Sequence, residues 1–207
     1  MNKSIMLIFI GLIIFSCDFS SDYRVRDIND DNSVFFLNNN DIVDTIAREK
    51  FNKGLKYTQI GDHEKAYFEI KKADEIEPDN VIIINSLALN AFYLNRDTDD
   101  NRNYYLLFEK AIEIDPSFPY SYSNYAFCLN KNREFKKAIS LLNEGINFVR
   151  DERMKPIFYY TLAISHLGLN DCELAKENIN KAIELQQDRQ LRREYKDYRR
   201  YILRTCK

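Results

Sequence analysis

The sequence predicts an all-α protein assembled from helical hairpins stacked one on the next and closed by a single C-terminal helix. Glycine (5) and proline (4) are scarce in 207 residues, which disfavours sheets with many tight turns and favours helices on short connections. A composition of 45% hydrophobic and 30% charged residues supplies both a core and a solvated surface. A skeleton of small, apolar and proline positions also recurs four times, in units starting near Ala47, Val81, Pro119 and Pro156, at offsets of 34, 38 and 37 residues.

The first unit (47–80) places Gly54 and Tyr57 in one helix and Ala66, Ile70 and Ala73 in a second. Gly61-Asp62 breaks the chain between them and Pro78 ends the unit. Lys50 and Lys53 stand where the skeleton is otherwise apolar, with Phe51 as the packing substitute. The second unit (81–118) carries Ile84, Leu87 and Ala88, then Tyr104, Phe108, Ala111 and Pro116 after an insertion of four around Asp97 to Arg102. The third (119–155) carries Tyr122, Tyr125, Ala126, Leu129, Ala138, Leu142 and Gly145. The fourth (156–188) carries Tyr159, Leu162, Ala163, Ala175, Ile179 and Ala182, with His166 at the tyrosine position. Small residues at fixed places let backbones approach closely, so a bulky residue at Ala138 is expected to cost roughly 1 to 3 kcal/mol. Asp62, Asp79, Ser117 and Asp171 are expected N-caps, and Pro119 and Pro156 fit first turns.

From Arg189 to Thr205, Leu191, Tyr195, Tyr198 and Ile202 form an apolar stripe flanked by Arg192, Arg193, Lys196, Arg199 and Arg200. This is the pattern of an amphipathic helix, and a stack of hairpins needs such a cap with a polar outer face. Arg189 to Lys207 holds eight Lys/Arg against Glu194 and Asp197, so a contact of the basic face with anionic lipid or an acidic partner is the functional alternative.

The recurring positions resemble those of the tetratricopeptide repeat (TPR) family, from Ala47 to about Arg189. The resemblance implies a right-handed α-solenoid of about four repeats plus the capping helix. It also implies a concave groove lined by the first helix of each repeat, which binds a protein segment. On this chain the lining positions fall at Phe51, Leu55 and Thr58 in the first repeat, and at Ile82, Asn85, Leu89 and Phe92 in the second. The third supplies Tyr120, Ser123, Phe127 and Asn130, and the fourth Ile157, Tyr160 and Ile164. Such a groove is aromatic and apolar with a few amides, suited to an extended or helical segment with hydrophobic anchors. It lacks the Lys and Asn pattern of repeats that clamp a terminal carboxylate.

The N-terminus reads as an export signal. Lys3 precedes an apolar run, Ile5 to Phe15, that as a helix rises only about 16 Å, too short to span a bilayer. Ser16-Cys17 resembles a bacterial lipobox, in which the cysteine is lipidated; bulky Phe15 departs from that pattern. Residues 18–40, rich in Asp, Asn and Ser, are expected to be a flexible tether, with Val34 to Leu37 its one apolar run. If Cys17 is lipidated, Cys128, Cys172 and Cys206 enter an oxidising compartment. Cys172 and Cys206 each lie 17 residues from Arg189, near the turn between two antiparallel helices. They therefore reach the same level, where a disulfide clasp is one reading and two free thiols the other; with the clasp, Cys128 is left as a buried free thiol.

A net charge of −2 gives no case for nucleic-acid binding. No C-x2-C pair offers a metal site, no glycine-rich phosphate loop is present, and no nucleophile stands at a spacing that suggests its base. His63 reads as an exposed polar residue and His166 as a packed neutral one. The expected function is a non-catalytic, cofactor-free interaction scaffold of the bacterial cell envelope, membrane-anchored and facing the periplasm or the cell surface. The alternatives are an accessory subunit or enzyme of envelope assembly with unrecognised chemistry, and a self-associating structural protein.

Overall fold

A computed structural model describes residues 41–94, 102–150 and 152–206. The expected signal peptide (1–17), the tether (18–40) and the insertion in the second repeat lie outside the described residues or at their edge. Among the described residues the regular structure is helical, with no strand: α1 (Thr45–Gln59), α2 (His63–Ile76), α3 (Val81–Leu94), α4 (Arg102–Ile114), α5 (Pro119–Lys131), α6 (Phe135–Gly145), α7 (Lys155–Gly168), α8 (Cys172–Leu185) and α9 (Arg189–Thr205). None is long and apolar enough to cross a membrane. The chain divides between Leu107 and Phe108 into two compact units.

In the first unit α1 packs on α2 and α2 on α3. The small residues explain how closely. A Cβ on Gly54 would overlap Ile70 Cγ1 and stand 3.1 Å from the carbonyl oxygen of Ala66, so only glycine lets the two helices meet there. Ala47, Ala66 and Ala73 on these two helices are fully buried. Every residue of α3 from Ile82 to Phe92 is buried, as expected for a helix that is apolar on all sides. Lys53 is held by a charge partner: its Nζ lies 3.2 Å from Glu69 Oε1 on α2, and Lys72 reaches the same oxygen at 3.3 Å. Burial pushes the Glu69 carboxyl up, but hydrogen bonds and charges from Lys53 and Lys72 outweigh this and hold it below the usual range.

In the second unit α5 packs on α6, α6 on α7, α7 on α8 and α8 on α9, and α5 also meets α7. This sequential stacking of hairpins is the packing of an α-solenoid. Gly145, the last residue of α6, lies so close to Tyr122 on α5 that a Cβ there would overlap the tyrosine ring. Ala163, Ala175, Ile179 and Ala182 of α7 and α8 form a core with Tyr195 and Ile202 of α9, so α9 covers the last hairpin. Cys172, opening α8, is disulfide-bonded to Cys206, just beyond α9, with Cα atoms 5.6 Å apart. Cys128 is buried in α5.

The repeat is also written in the backbone. Gly61, Arg133 and Asn170 have φ of 76°, 63° and 60°, and each stands one residue before the N-cap of a second helix. In all three turns the following N–H donates back five residues: Asp62 to Tyr57 (3.0 Å), Glu134 to Leu129 (2.8 Å) and Asp171 to His166 (2.9 Å). This is the left-handed closing turn of a helix C-terminus, which satisfies otherwise unpaired carbonyls.

Asp62 and Asp171 cap α2 and α8 through their side chains, and Asp44 and Asp188 cap α1 and α9 in the same way. Two expected caps are corrected. Asp79 adopts φ 61°, and its neighbour Asn80 caps α3, its Oδ1 accepting from Ile82 N at 3.1 Å and Ile83 N at 3.4 Å. Ser117 donates its N–H and hydroxyl to Asp115 Oδ1. The cap position of α5 falls instead on Phe118, with no side-chain bond and with Pro119 at the first turn.

Candidate functional site

The lining positions expected from the sequence fall on the first helix of each hairpin, α1, α3, α5 and α7. In the first unit Phe51 and Leu55 on α1, and Asn85, Leu89 and Phe92 on α3, are all buried. The Phe92 ring meets Tyr104 edge-on at 5.2 Å between centroids. The surface of these five is therefore spent on packing.

In the second unit Tyr120, Ser123 and Phe127 on α5 are buried. Asn130 on α5 and Tyr160 and Ile164 on α7 keep part of their surface. Ser165 donates its hydroxyl to Asn130 Oδ1 at 2.8 Å, linking α5 to α7, and also lies 3.0 Å from the carbonyl of Thr161 one turn back. Lys131 places its Nζ 5.2 Å above the Phe127 ring. Tyr160 lies flat against Tyr195 (4.5 Å, 13°) and edge-on to Tyr198 (5.3 Å) of α9. Burial, then the Glu194 charge, pushes the Tyr160 phenol far above its ordinary value. Burial does the same to Tyr198.

Thr58 and Ile82 are buried as well, so the accessible part of the fourteen expected lining positions is gathered in the second unit, at Asn130, Ile157, Tyr160 and Ile164. Sequence reasoning missed the residues that hold Asn130 and Tyr160. Thr161 and Ser165, four apart on α7, carried a signal in their spacing. Tyr195 and Tyr198 read only as a packing stripe.

His63 is half-buried rather than exposed. Its ring stacks on Tyr93 at 4.2 Å, and Nδ1 lies 3.0 Å from Asn90 Oδ1, which also accepts from Thr58. The Tyr93 ring and the Asn90 amide of α3, beside the start of α2, draw the imidazole in. The His166 side chain is nearly buried, with Nδ1 3.5 Å from Asp171 Oδ2. Among the described residues no group of three or more His, Cys, Asp or Glu is placed to hold a metal ion.

The described fold resembles solved structures. Over 78% of this chain and 97% of the other it is similar to the MamA RS-1 ArsTM double mutant, at 17% identity and a TM-score of 0.53. Over 79% of this chain and 77% of the other it is similar to PilW, described as a widely conserved type IV pilus biogenesis factor, at 15% identity and a TM-score of 0.61. At these identities the likeness is one of fold. No curated protein matches the sequence. Residues 50–80 and 157–189 match the tetratricopeptide repeat family, coinciding with the hairpins α1–α2 and α7–α8. Residues 107–140, running from α4 into α6, match it as well. Three separate segments of this chain therefore match the tetratricopeptide repeat.

Proposed function

We propose that this chain is a non-catalytic interaction scaffold of the bacterial cell envelope, anchored by lipid on Cys17. It holds an extended or helical partner segment by hydrophobic anchors. The observation that carries the reading is the pairing of two successive first helices. Ser165 and Asn130 tie α7 to α5, while Ile164, and a smaller part of the packed Tyr160 ring, keep some surface on α7. A line of apolar surface beside a satisfied amide is what a peptide with spaced apolar side chains requires. The Cys172–Cys206 disulfide supports an oxidising compartment.

A photo-crosslinking residue at Ile164 tests the binding face against one at Lys136, exposed on α6. A partner adduct from position 164 alone, lost on Asn130→Ala with Tyr160→Ala, supports it; equal adducts from both positions sink it. For the anchor, Cys17→Ala releases the protein from the membrane fraction, and continued retention counts against lipidation.

A further inference from the structure

The apolar stripe of α9 is already used: Leu191, Tyr195 and Ile202 are buried, the latter two in the core with α7 and α8. What α9 turns outward is a row of cations. Arg189, Arg193, Lys196 and Arg200 follow at spacings of four, three and four, forming one line about 16 Å long at 1.5 Å per residue. Together with Arg192 and Asp197 they line a depression of about 500 Å³.

The row differs from several lysines elsewhere on the surface. Lys65, Lys137, Lys155, Lys176 and Lys181 each pair with a carboxylate one turn away. On α9, Asp197 pairs with Arg200, and Arg192 donates its Nε to the Gln186 carbonyl at 2.6 Å. Arg189, Arg193 and Lys196 have no carboxylate within ion-pair distance among the described residues. Like charges held this close raise the local potential, and an external anion relieves it.

We propose that this face of α9 binds the phosphate headgroups of an anionic lipid bilayer. Charge complementarity selects an anion, and two further observations select lipid. Leu203, seven residues beyond Lys196 and so on the same face, is 40% exposed; a bilayer interface accepts an apolar side chain next to basic ones, whereas a nucleic-acid backbone does not. Of the tyrosines of α9, Tyr195 and Tyr198 pack with Tyr160 rather than standing open to stack on bases, and Tyr201, 39% exposed, suits a bilayer interface, where tyrosine is enriched. With the stripe packed inward, α9 lies along the surface as a rigid element, held by Asp188 at its start and by the disulfide at its end. The assignment does not depend on lipid at Cys17.

The test sediments the full chain carrying Cys17→Ala, which has no acyl group, with phosphatidylcholine vesicles that contain or lack phosphatidylglycerol. The wild-type face gives a preference for the anionic vesicles that falls with added salt. A basic residue at such a surface is worth about fivefold in binding. Arg189→Gln/Arg193→Gln/Lys196→Gln therefore lowers anionic binding by about 100-fold and leaves neutral binding unchanged. Lys56→Gln/Lys71→Gln/Lys136→Gln, which removes the same charge elsewhere, keeps the preference. Arg193→Glu alone, read beside its circular dichroism, repeats the test with one exposed change, and about a 25-fold loss is expected. Retained preference in the α9 variants, or equal loss in the control, overturns the proposal. Displacement from the vesicles by poly-glutamate or RNA at equal charge also overturns it, reassigning the face to an acidic peptide or a nucleic acid.

Discussion

Arg133 occupies in the α5–α6 turn the place that Gly61 occupies in the α1–α2 turn: φ is 63° and 76°, and the next residue donates back five positions in both. The geometry is the same, but only glycine adopts it without crowding its own Cβ. Arg133→Gly is therefore expected to stabilise the protein by up to about 1 kcal/mol, the relieved strain exceeding the added freedom of the unfolded chain. Asn170→Gly gains less, because asparagine tolerates this region. Urea midpoints of the two variants decide it, and a loss of stability in Arg133→Gly refutes the strain argument.

Glu69 sets a pH dependence. Its side chain is 7% exposed between Lys53 and Lys72, and its carboxyl is held below the usual 4.5. A carboxyl depressed in the folded state adds stability that is present above its unfolded value and lost as pH falls through the folded one. Glu69→Gln should cost about 1 kcal/mol at pH 7, a modest figure because both lysines reach in from solvent. The difference from wild type should shrink below about pH 4. Denaturant unfolding at pH 7 and pH 3 measures it; a difference independent of pH removes the ion-pair explanation.

The disulfide closes a loop with a sequence separation of 34. Chain-entropy reasoning for a loop of that size gives a stabilisation of about 2 to 4 kcal/mol. Reductant should lower the unfolding midpoint of the wild-type chain to that of Cys172→Ser/Cys206→Ser and leave the double variant unmoved. A wild-type midpoint insensitive to reductant would falsify a stabilising role.

The fold was largely legible because its determinants are local and periodic. Gly54, Ala66 and Ala73 announced close helix contacts by size and spacing alone, and Cys172 and Cys206 announced a shared level by equal distance from one turn. The caps were legible only where turn and helix start coincide. Asp62 and Asp171 follow a left-handed residue, whereas Asp79 is itself left-handed, and Ser117 is held by Asp115. The candidate face was the least legible part. Position in the repeat says which helix carries a residue but not how much of it its neighbours cover, so Phe51, Leu55 and Asn85 read like Ile164 until the packing is known.

By itself, then, the sequence determined the helices, their pairing into hairpins and the repeat, because these follow from residue size, periodicity and turn chemistry over a few tens of residues. Tertiary structure alone decided which lining positions stay accessible, that Lys53 serves Glu69, that Tyr160 leans on α9, and that α9 packs its tyrosine stripe inward while three of its cations have no carboxylate within ion-pair distance among the described residues. These depend on distances between side chains far apart in the chain, which no local pattern encodes.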